Sequence, residues 1–312
     1  RDLVRSRGLG DVYKRQFVLE KTLEEVTCSM ETLPEKILKI PGIALVAAGT
    51  PACLTTLYDS ADRIHALDRL FLCEISAAEY SLGKQGVKIW DAVEQAAKLP
   101  GIRGVIIYAS CMEVLTMWDF EGEQKKAGVR IPVEILYRGP LVKRRTAPVQ
   151  ELKKILAGWD MELEERAGEN KNASEAAMAQ NCAASDGYVS INTKKPQEPY
   201  FIEQIRRLAD TDCDILLFTP GGCASSLKCL PPDILKNVWN TRFTDYFLSQ
   251  GKTDGMIQEI RKNFPENRPL YLLESAVPKY TGIDLKKIAA ELIKAGKETC
   301  FYSEAVVKRG NV

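Results

Sequence analysis

The chain has 312 residues, of which 45% are hydrophobic, so it is long enough for two domains with apolar cores. Its 43 basic and 42 acidic residues nearly cancel, which gives no reason to expect nucleic acid or an anionic membrane as a partner. No membrane span and no secretory signal are recognisable, so we expect a cytoplasmic protein. Nine cysteines, an odd number, favour reduced thiols and metal ligation over a disulfide framework.

The chain divides into a short tail and three further parts. Residues 1–16 alternate basic residues with glycines, lack a hydrophobic period and resemble translated adapter sequence, so we predict a non-native tail. A native basic arm is the alternative. We expect a first α/β domain at 17–150, a connection at 151–200 and a second α/β domain at 201–312. The connection is polar and predicted to be helical through about Glu165.

Two apolar runs end in a glycine and proline turn followed by a cysteine. The first is IALVAAGTPAC, from Ile43 to Cys53, and the second is ILLFTPGGC, from Ile215 to Cys223. Such runs are typical of buried strands. Open α/β sheets bind ligands at the carboxyl ends of their strands, so both turns are predicted to direct a thiol towards a site.

The similarity between the two halves continues downstream. In each half a loop containing glycine leads to an amphipathic helix and a strand, Gly104–Ser110 before Cys111 and Leu270–Ser275 before Ala276. Asp119 and Asp284 each lie eight residues further on and are predicted to cap a helix by accepting backbone N–H bonds. We therefore predict an α/β protein of two tandem Rossmann-like domains with parallel sheets, related by an internal repeat.

The cysteine order resembles the amino-terminal domain of the nitrogenase component 1 superfamily. The matching features are CSM at Cys28, the turn at Cys53 and SCMEVLTMWD at Cys111. The superfamily includes a cofactor-assembly scaffold and dark-operative protochlorophyllide reductase. In it, three cysteines of one subunit and one residue of its partner hold an iron-sulfur cluster. The resemblance therefore implies ligation by Cys28, Cys53 and Cys111, with Cys223 in the position of the partner's turn cysteine.

The sequence departs from the family pattern in three places. The turn GTPAC is one residue short, neither turn has the family's histidine, and Ala276 occupies the third cysteine position of the second half. The second half could then supply one ligand, so the resemblance implies a 4Fe-4S cluster with three ligands from one half and one from the other. It also implies an ATP-dependent iron-sulfur reductase as electron donor, and a homo- or hetero-oligomer.

Several alternatives stay open. Cys229 is a rival fourth ligand, whereas Cys73, Cys213 and Cys300 are expected in the core. No phosphate-binding glycine motif is present, so nucleotide hydrolysis is not expected. The two function classes are an oxidoreductase subunit or electron-transfer module, and a cluster-free binding or cofactor-assembly scaffold. A zinc site ranks lowest because closely spaced CxxC pairs are missing.

Overall fold

A computed structural model describes residues 19–21, 31–139, 141–142, 146–161, 195–220, 223–224, 226–227, 230–241, 243, 254–297 and 300–302. The predicted tail and Cys28, Cys182 and Cys229 lie outside these residues, as does most of the predicted connection. None of the helices within the described ranges is long and apolar enough to cross a membrane.

The first half contains a four-stranded sheet in which every neighbouring pair is parallel. The strands are β2 (Ile43–Gly49), β3 (Leu70–Glu74), β4 (Gly104–Ala109) and β5 (Val133–Tyr137). They lie in the order β3-β2-β4-β5, so the first strand of the half lies inside the sheet. The predicted strand at Gly104–Ser110 is confirmed, and it ends at Ala109.

Helices precede, connect and follow these strands, and buried apolar clusters lie on both faces of the sheet. In chain order they are α1 (Leu33–Leu38), α2 (Pro51–Arg63), α3 (Ala77–Ser81), α4 (Gln85–Ala97), α5 (Cys111–Leu115), α6 (Phe120–Gln124) and α7 (Pro148–Gly158). The predicted helical part of the connection ends at Gly158, earlier than the expected Glu165. The next residue, Trp159, is the C-cap of α7, and Asp160 has a positive φ of 52°, which is incompatible with continuing the helix.

The second half contains a five-stranded sheet. Its strands are β1 (Leu19–Lys21), β6 (Asp214–Phe218), β7 (Val238–Thr241), β8 (Leu270–Glu274) and β9 (Cys300–Tyr302), in the order β1-β7-β6-β8-β9. The expectation of purely parallel sheets is wrong at β1, which pairs antiparallel with β7, Leu19 opposite Thr241. Strand β1 therefore belongs to the second sheet, although it precedes the first sheet in sequence.

Among the described residues of the second half, the helices are α8 (Tyr200–Leu208), α9 (Pro232–Leu235), α10 (Asp254–Asn263), α11 (Ala276–Tyr280) and α12 (Leu285–Lys294). Buried apolar clusters lie on both faces of each sheet. This two-sided burial explains why β2, β4 and β6 are continuous apolar runs without polar alternation.

The chain follows matching paths after β4 and after β8. Ser110 is the N-cap of α5 with Cys111 as its first residue, and Ser275 is the N-cap of α11 with Ala276 as its first residue. The predicted caps at the next helices are confirmed. Asp119 accepts the Gly122 N–H at 2.9 Å at the start of α6, and Asp284 accepts the Lys287 N–H at 3.0 Å at the start of α12.

The two halves contact each other through residues that follow the carboxyl ends of strands. Cys223, after β6, and Val277, after β8, pack into an apolar cluster of the first half. Ala52, after β2, packs against a cluster of the second half. Sequence segments that follow β2, β6 and β8 therefore form the boundary between the halves.

Candidate functional site

Cys53 lies in the first turn of α2, just after β2. Thr50 is the N-cap, and its carbonyl accepts the Cys53 N–H at 2.8 Å, while its hydroxyl contacts the Cys53 Sγ at 3.6 Å. The turn depends on Gly49, whose φ is 153°. A Cβ at this position would lie 3.0 Å from the Cys53 Cβ and 3.1 Å from the Ser110 Cβ. Glycine is thus what allows the turns after β2 and β4 to approach each other.

Cys111 begins α5 and is only 1% exposed. A second glycine makes room for its side chain, because a Cβ at Gly139 would lie 3.1 Å from the Cys111 Cβ and 3.2 Å from its Sγ. Gly139 also has a positive φ of 108°, which disfavours any other residue. Cys111 is therefore enclosed by the chain that follows β5.

Cys223 brings a thiol from the second half to the same place. Its N–H donates to the Pro220 carbonyl at 2.9 Å, which closes the predicted turn after β6, and the residue as a whole is partly exposed. The two thiols affect each other's ionisation. The Cys223 side chain is the main cause that lowers the pKa of Cys111, and the Cys111 side chain is the main cause that raises the pKa of Cys223 well above its ordinary value.

Burial and charge act in opposite directions on Cys53. Burial raises the pKa of its thiol, the nearby Arg138 guanidinium lowers it, and the neighbouring Cys111 raises it again. Arg138 follows β5, donates from Nη1 to the Cys53 carbonyl at 2.7 Å and lies over the Tyr108 ring at 5.2 Å from the ring centroid. The site therefore combines three thiols with a cation that favours the ionised form of Cys53 and of Cys111.

Glu113 is a fully buried carboxyl group next to these thiols. Its Oε1 accepts the Tyr80 hydroxyl at 2.6 Å, and its Oε2 accepts both the N–H and the hydroxyl of Ser110 at 2.7 Å. Ser110 and Glu113 form a capping box that fixes the start of α5, and therefore the position of Cys111. These hydrogen bonds satisfy a group whose burial would otherwise be costly.

The sequence analysis did not single out Glu113 or Arg138. A signal for the first was present, because Ser-x-x-Glu around Cys111 is the pattern of a capping box. Arg138 offered only its position after β5, since residues that follow parallel strands collect at one edge of the sheet. Neither signal indicates by itself that the side chain lies beside a thiol.

The structure brings together Cys53, Cys111 and Cys223 of the predicted ligands, whereas Cys28 and Cys229 lie outside the described residues. The remaining described cysteines lie elsewhere. Cys73 in β3 and Cys213 before β6 are buried, as predicted, and Cys300 is the first residue of β9. Burial raises the pKa of Cys73 to about 12, which makes it a poor ligand.

The donor set fits an iron-sulfur cluster in its chemistry, because thiols from three separate turns converge. They do so beside Gly49 and Gly139, where a larger residue would crowd Cys53 and Cys111. The placement of the described side chains does not match a preformed metal site. Within the described ranges, no group of three or more His, Cys, Asp or Glu side chains is placed to hold a metal ion.

Comparison with known proteins does not assign the chain to a family. No protein-family model matches it, and no curated protein is significantly similar to it.

Proposed function

We propose that this protein is an electron-transfer module or oxidoreductase subunit of the nitrogenase component 1 type, with an iron-sulfur cluster held between its halves. The observation that carries the proposal is the convergence of Cys53, Cys111 and Cys223, which come from three turns and from both halves of the chain. Buried free cysteines are common individually, but three that meet at the carboxyl ends of strands suit a ligand site.

Each residue of the site has a distinct role in this proposal. Cys28, Cys53 and Cys111 are the three ligands of the first half, Cys223 is the fourth, and Cys229 is the alternative to Cys223. A cluster bound there supplies one-electron transfer. Arg138 offsets part of the negative charge of the thiolates. Glu113 holds the turn that carries Cys111 through the Ser110 capping box.

We further propose that the halves are duplicated Rossmann-like domains. In support, the parallel strands of the two sheets follow the same pattern, β3-β2-β4-β5 and β7-β6-β8-β9. The serine cap, the five-residue helix and the aspartate cap also recur after β4 and β8. In this account Ala276 marks the ligand that the second half has lost, so the cluster is the three-plus-one 4Fe-4S type.

The partners follow from the resemblance rather than from the geometry. The electron donor is proposed to be a separate ATP-dependent iron-sulfur reductase in the cytoplasm, and the acceptor site to form in a homo- or hetero-oligomer. Nothing in the charge balance of the chain favours nucleic acid or a membrane surface.

A cluster-free scaffold or binding protein is the second candidate function. It is favoured because, among the described residues, no group of three or more His, Cys, Asp or Glu side chains is placed to hold a metal ion. In this alternative the chain keeps the fold and the thiols, but its substrate or cofactor binds elsewhere.

Iron analysis distinguishes the two candidates. Protein reconstituted without oxygen, with iron and sulfide, is expected to bind about four irons per chain and to show a charge-transfer absorption that dithionite bleaches. Cys111→Ala removes a ligand that Ala276 cannot replace, so its iron content is expected to fall at least several-fold. Cys223→Ala and Cys229→Ala, compared side by side, identify the fourth ligand.

Cys213→Ala is the matched control for Cys111→Ala, because Cys213 is about as buried as Cys111 but lies before β6, away from the site. It is expected to retain the iron content of the unmodified chain. Failure of the unmodified chain to hold a cluster after reconstitution would contradict the electron-transfer proposal and leave the scaffold function.

A further inference from the structure

Exposed apolar side chains concentrate on one surface of the first half. Within the described part of the chain, seven large hydrophobic residues are exposed. Two of them, Tyr200 and Ile293, lie on separate helices of the second half. The other five come from two short segments, 82–88 and 114–121, and are Leu82, Val87, Val114, Leu115 and Met117. Single exposed apolar residues are normal, whereas a group of them marks an interaction surface.

Hydrogen bonds hold the two segments side by side. Just before them, the Tyr80 hydroxyl donates to the Glu113 carboxylate at 2.6 Å. Further along, Gln85 Nε2 donates to the Thr116 hydroxyl at 3.3 Å. Both bonds join the segments in the same chain order, so the segments run in the same direction. Their five exposed apolar side chains are therefore neighbours on the surface, and we call them the apolar patch.

Met117 is the most exposed member of the apolar patch, and its backbone adopts an unusual conformation. It is 87% exposed, and its φ of 53° lies in the left-handed region that few residues other than glycine adopt. Residues held in this region are found preferentially at functional sites. A methionine side chain is flexible and adapts to many apolar surfaces, so its position suits a contact with another protein.

The charges on the two segments have opposite signs. The first segment carries Lys84 and Lys88, and the second carries Asp119 and Glu121. Lys88 pairs with Glu79 at 2.7 Å. Asp119 accepts a backbone N–H as the cap of α6. Lys84 and Glu121 therefore carry the remaining charges of the two segments, and both residues are exposed.

We propose that the apolar patch is the contact between two copies of this chain, related by a two-fold axis that runs between the segments and parallel to them. This axis places the basic segment of each copy opposite the acidic segment of the other, and the apolar side chains of the two copies against each other. A two-fold interface requires such self-complementarity. A partner whose surface carries one sign of charge would instead be repelled by one of the two segments.

The dimer goes beyond the proposed function and does not depend on a cluster. Cys111, Val114 and Leu115 belong to the same five-residue helix, α5, so the apolar patch begins within one helical turn of the candidate site. A second copy on the patch shields this side of the site from solvent.

The test measures the mass of the full chain in solution, under reducing conditions and without metal. Sedimentation velocity between about 1 and 100 μM is expected to show a reversible equilibrium of monomer and dimer, because five side chains are few for a permanent interface. A monomer throughout this range overturns the proposal and leaves the patch to another segment of this chain or to a different protein. Larger aggregates without a defined dimer overturn it as well.

Met117→Asp tests the apolar part of the contact. Aspartate tolerates the left-handed backbone at this position, so the variant is expected to fold, which circular dichroism checks. The dissociation constant of the dimer is expected to rise at least tenfold. Ile293→Asp is the matched control, because Ile293 is an exposed apolar residue on α12 outside the patch, and it should leave the dissociation constant unchanged. Equal effects of the two substitutions, or none from Met117→Asp, would overturn the proposal.

Charge reversal tests the two-fold arrangement. Lys84→Glu is expected to raise the dissociation constant several-fold, because it places like charges opposite each other. Combining Lys84→Glu with Glu121→Lys restores opposite signs across the interface and is expected to recover most of the lost affinity. A further loss of affinity in the double variant would show that the two segments do not face each other, which overturns the arrangement.

Iron analysis of the same preparation separates this inference from the proposed function. A chain that dimerises but binds no iron after reconstitution supports the dimer and contradicts the cluster. A chain that binds about four irons but stays monomeric has the opposite meaning.

Discussion

At the scale of single residues, burial controls how the thiol of Cys73 ionises. The Cys73 side chain in β3 is 4% exposed, and its burial raises the pKa from 9.0 to about 12. The unfolded chain therefore loses this proton at a lower pH than the folded protein. The resulting contribution to stability is fully present below pH 9 and is lost as the pH rises towards 12.

Cys73→Ala is expected to make stability less sensitive to alkaline pH. Between pH 9 and 12, the free energy of unfolding should fall less steeply than in the unmodified chain, by about 1.4 kcal/mol per pH unit, because one linked proton is absent. Urea unfolding at several pH values measures the slope. Val46→Ala in the adjacent strand β2 creates a comparable cavity without removing a thiol, so it should keep the original slope. Equal slopes for Cys73→Ala and the unmodified chain would refute the assignment.

The site shows which residue properties the sequence reveals. Burial of Cys73 and Cys213 could be predicted, because apolar residues lie close to each of them in sequence. The meeting of Cys53 with Cys223 was predictable in outline from the shared turn after a strand. The places of Arg138 and Glu113 were not predictable, since their neighbours at the site include residues distant in sequence.

At the scale of elements, α3 and α5 begin with the same capping box in different surroundings. Ser76 and Glu79 cap α3, and Ser110 and Glu113 cap α5. Glu79 remains partly exposed and pairs with Lys88 at 2.7 Å, whereas Glu113 is fully buried. The two capping boxes have the same local geometry, but we expect the Ser110–Glu113 box to contribute more to the free energy of unfolding than the Ser76–Glu79 box.

Glu113→Ala is expected to destabilise the protein by about 1–3 kcal/mol, because it removes a buried carboxylate that accepts the Ser110 N–H and the Tyr80 hydroxyl. Glu79→Ala is the control and should cost less than about 1 kcal/mol, because water can replace its carboxylate. Chemical denaturation of both variants measures the difference. Equal losses of stability in the two variants would show that burial of the glutamate does not strengthen a capping box.

The elements that the sequence predicted best are those buried on both sides. The strands β2, β4, β6 and β8 are apolar runs, and their limits could be predicted closely. In β7, Asn240 and Thr241 are buried although polar, so hydropathy gives no strand signal there. Strand β1 has three residues, too few for any periodicity, and its pairing depends on an edge formed much later in the chain.

At the scale of the whole molecule, β1 comes before the first sheet in the chain but forms an edge strand of the second sheet. Leu19 packs against an apolar cluster of the second half, and β1 covers the edge of β7. The contribution of β1 can be measured by comparing two shortened chains. A chain that begins at Phe17 keeps the strand, whereas a chain that begins at Thr22 lacks it.

The chain that starts at Thr22 is expected to be less stable than the chain that starts at Phe17, by about 1–2 kcal/mol, because it loses the contacts of Leu19 and the backbone pairing with β7. It should also aggregate more readily, since the edge of β7 becomes available to other chains. Urea unfolding and light scattering measure the two effects. Identical behaviour of the two chains would contradict a stabilising role for β1.

The pairing of β1 with β7 also orders events during synthesis. Leu19 leaves the ribosome long before its partner Thr241, which follows more than two hundred residues later. At about 5–20 residues per second, this interval is roughly 10–45 seconds. The first sheet has all its strands by Tyr137 and can form during that time, while β1 stays unpaired. The nascent chain therefore carries an exposed strand past a completed domain, which makes this interval the period in which a chaperone has most to protect.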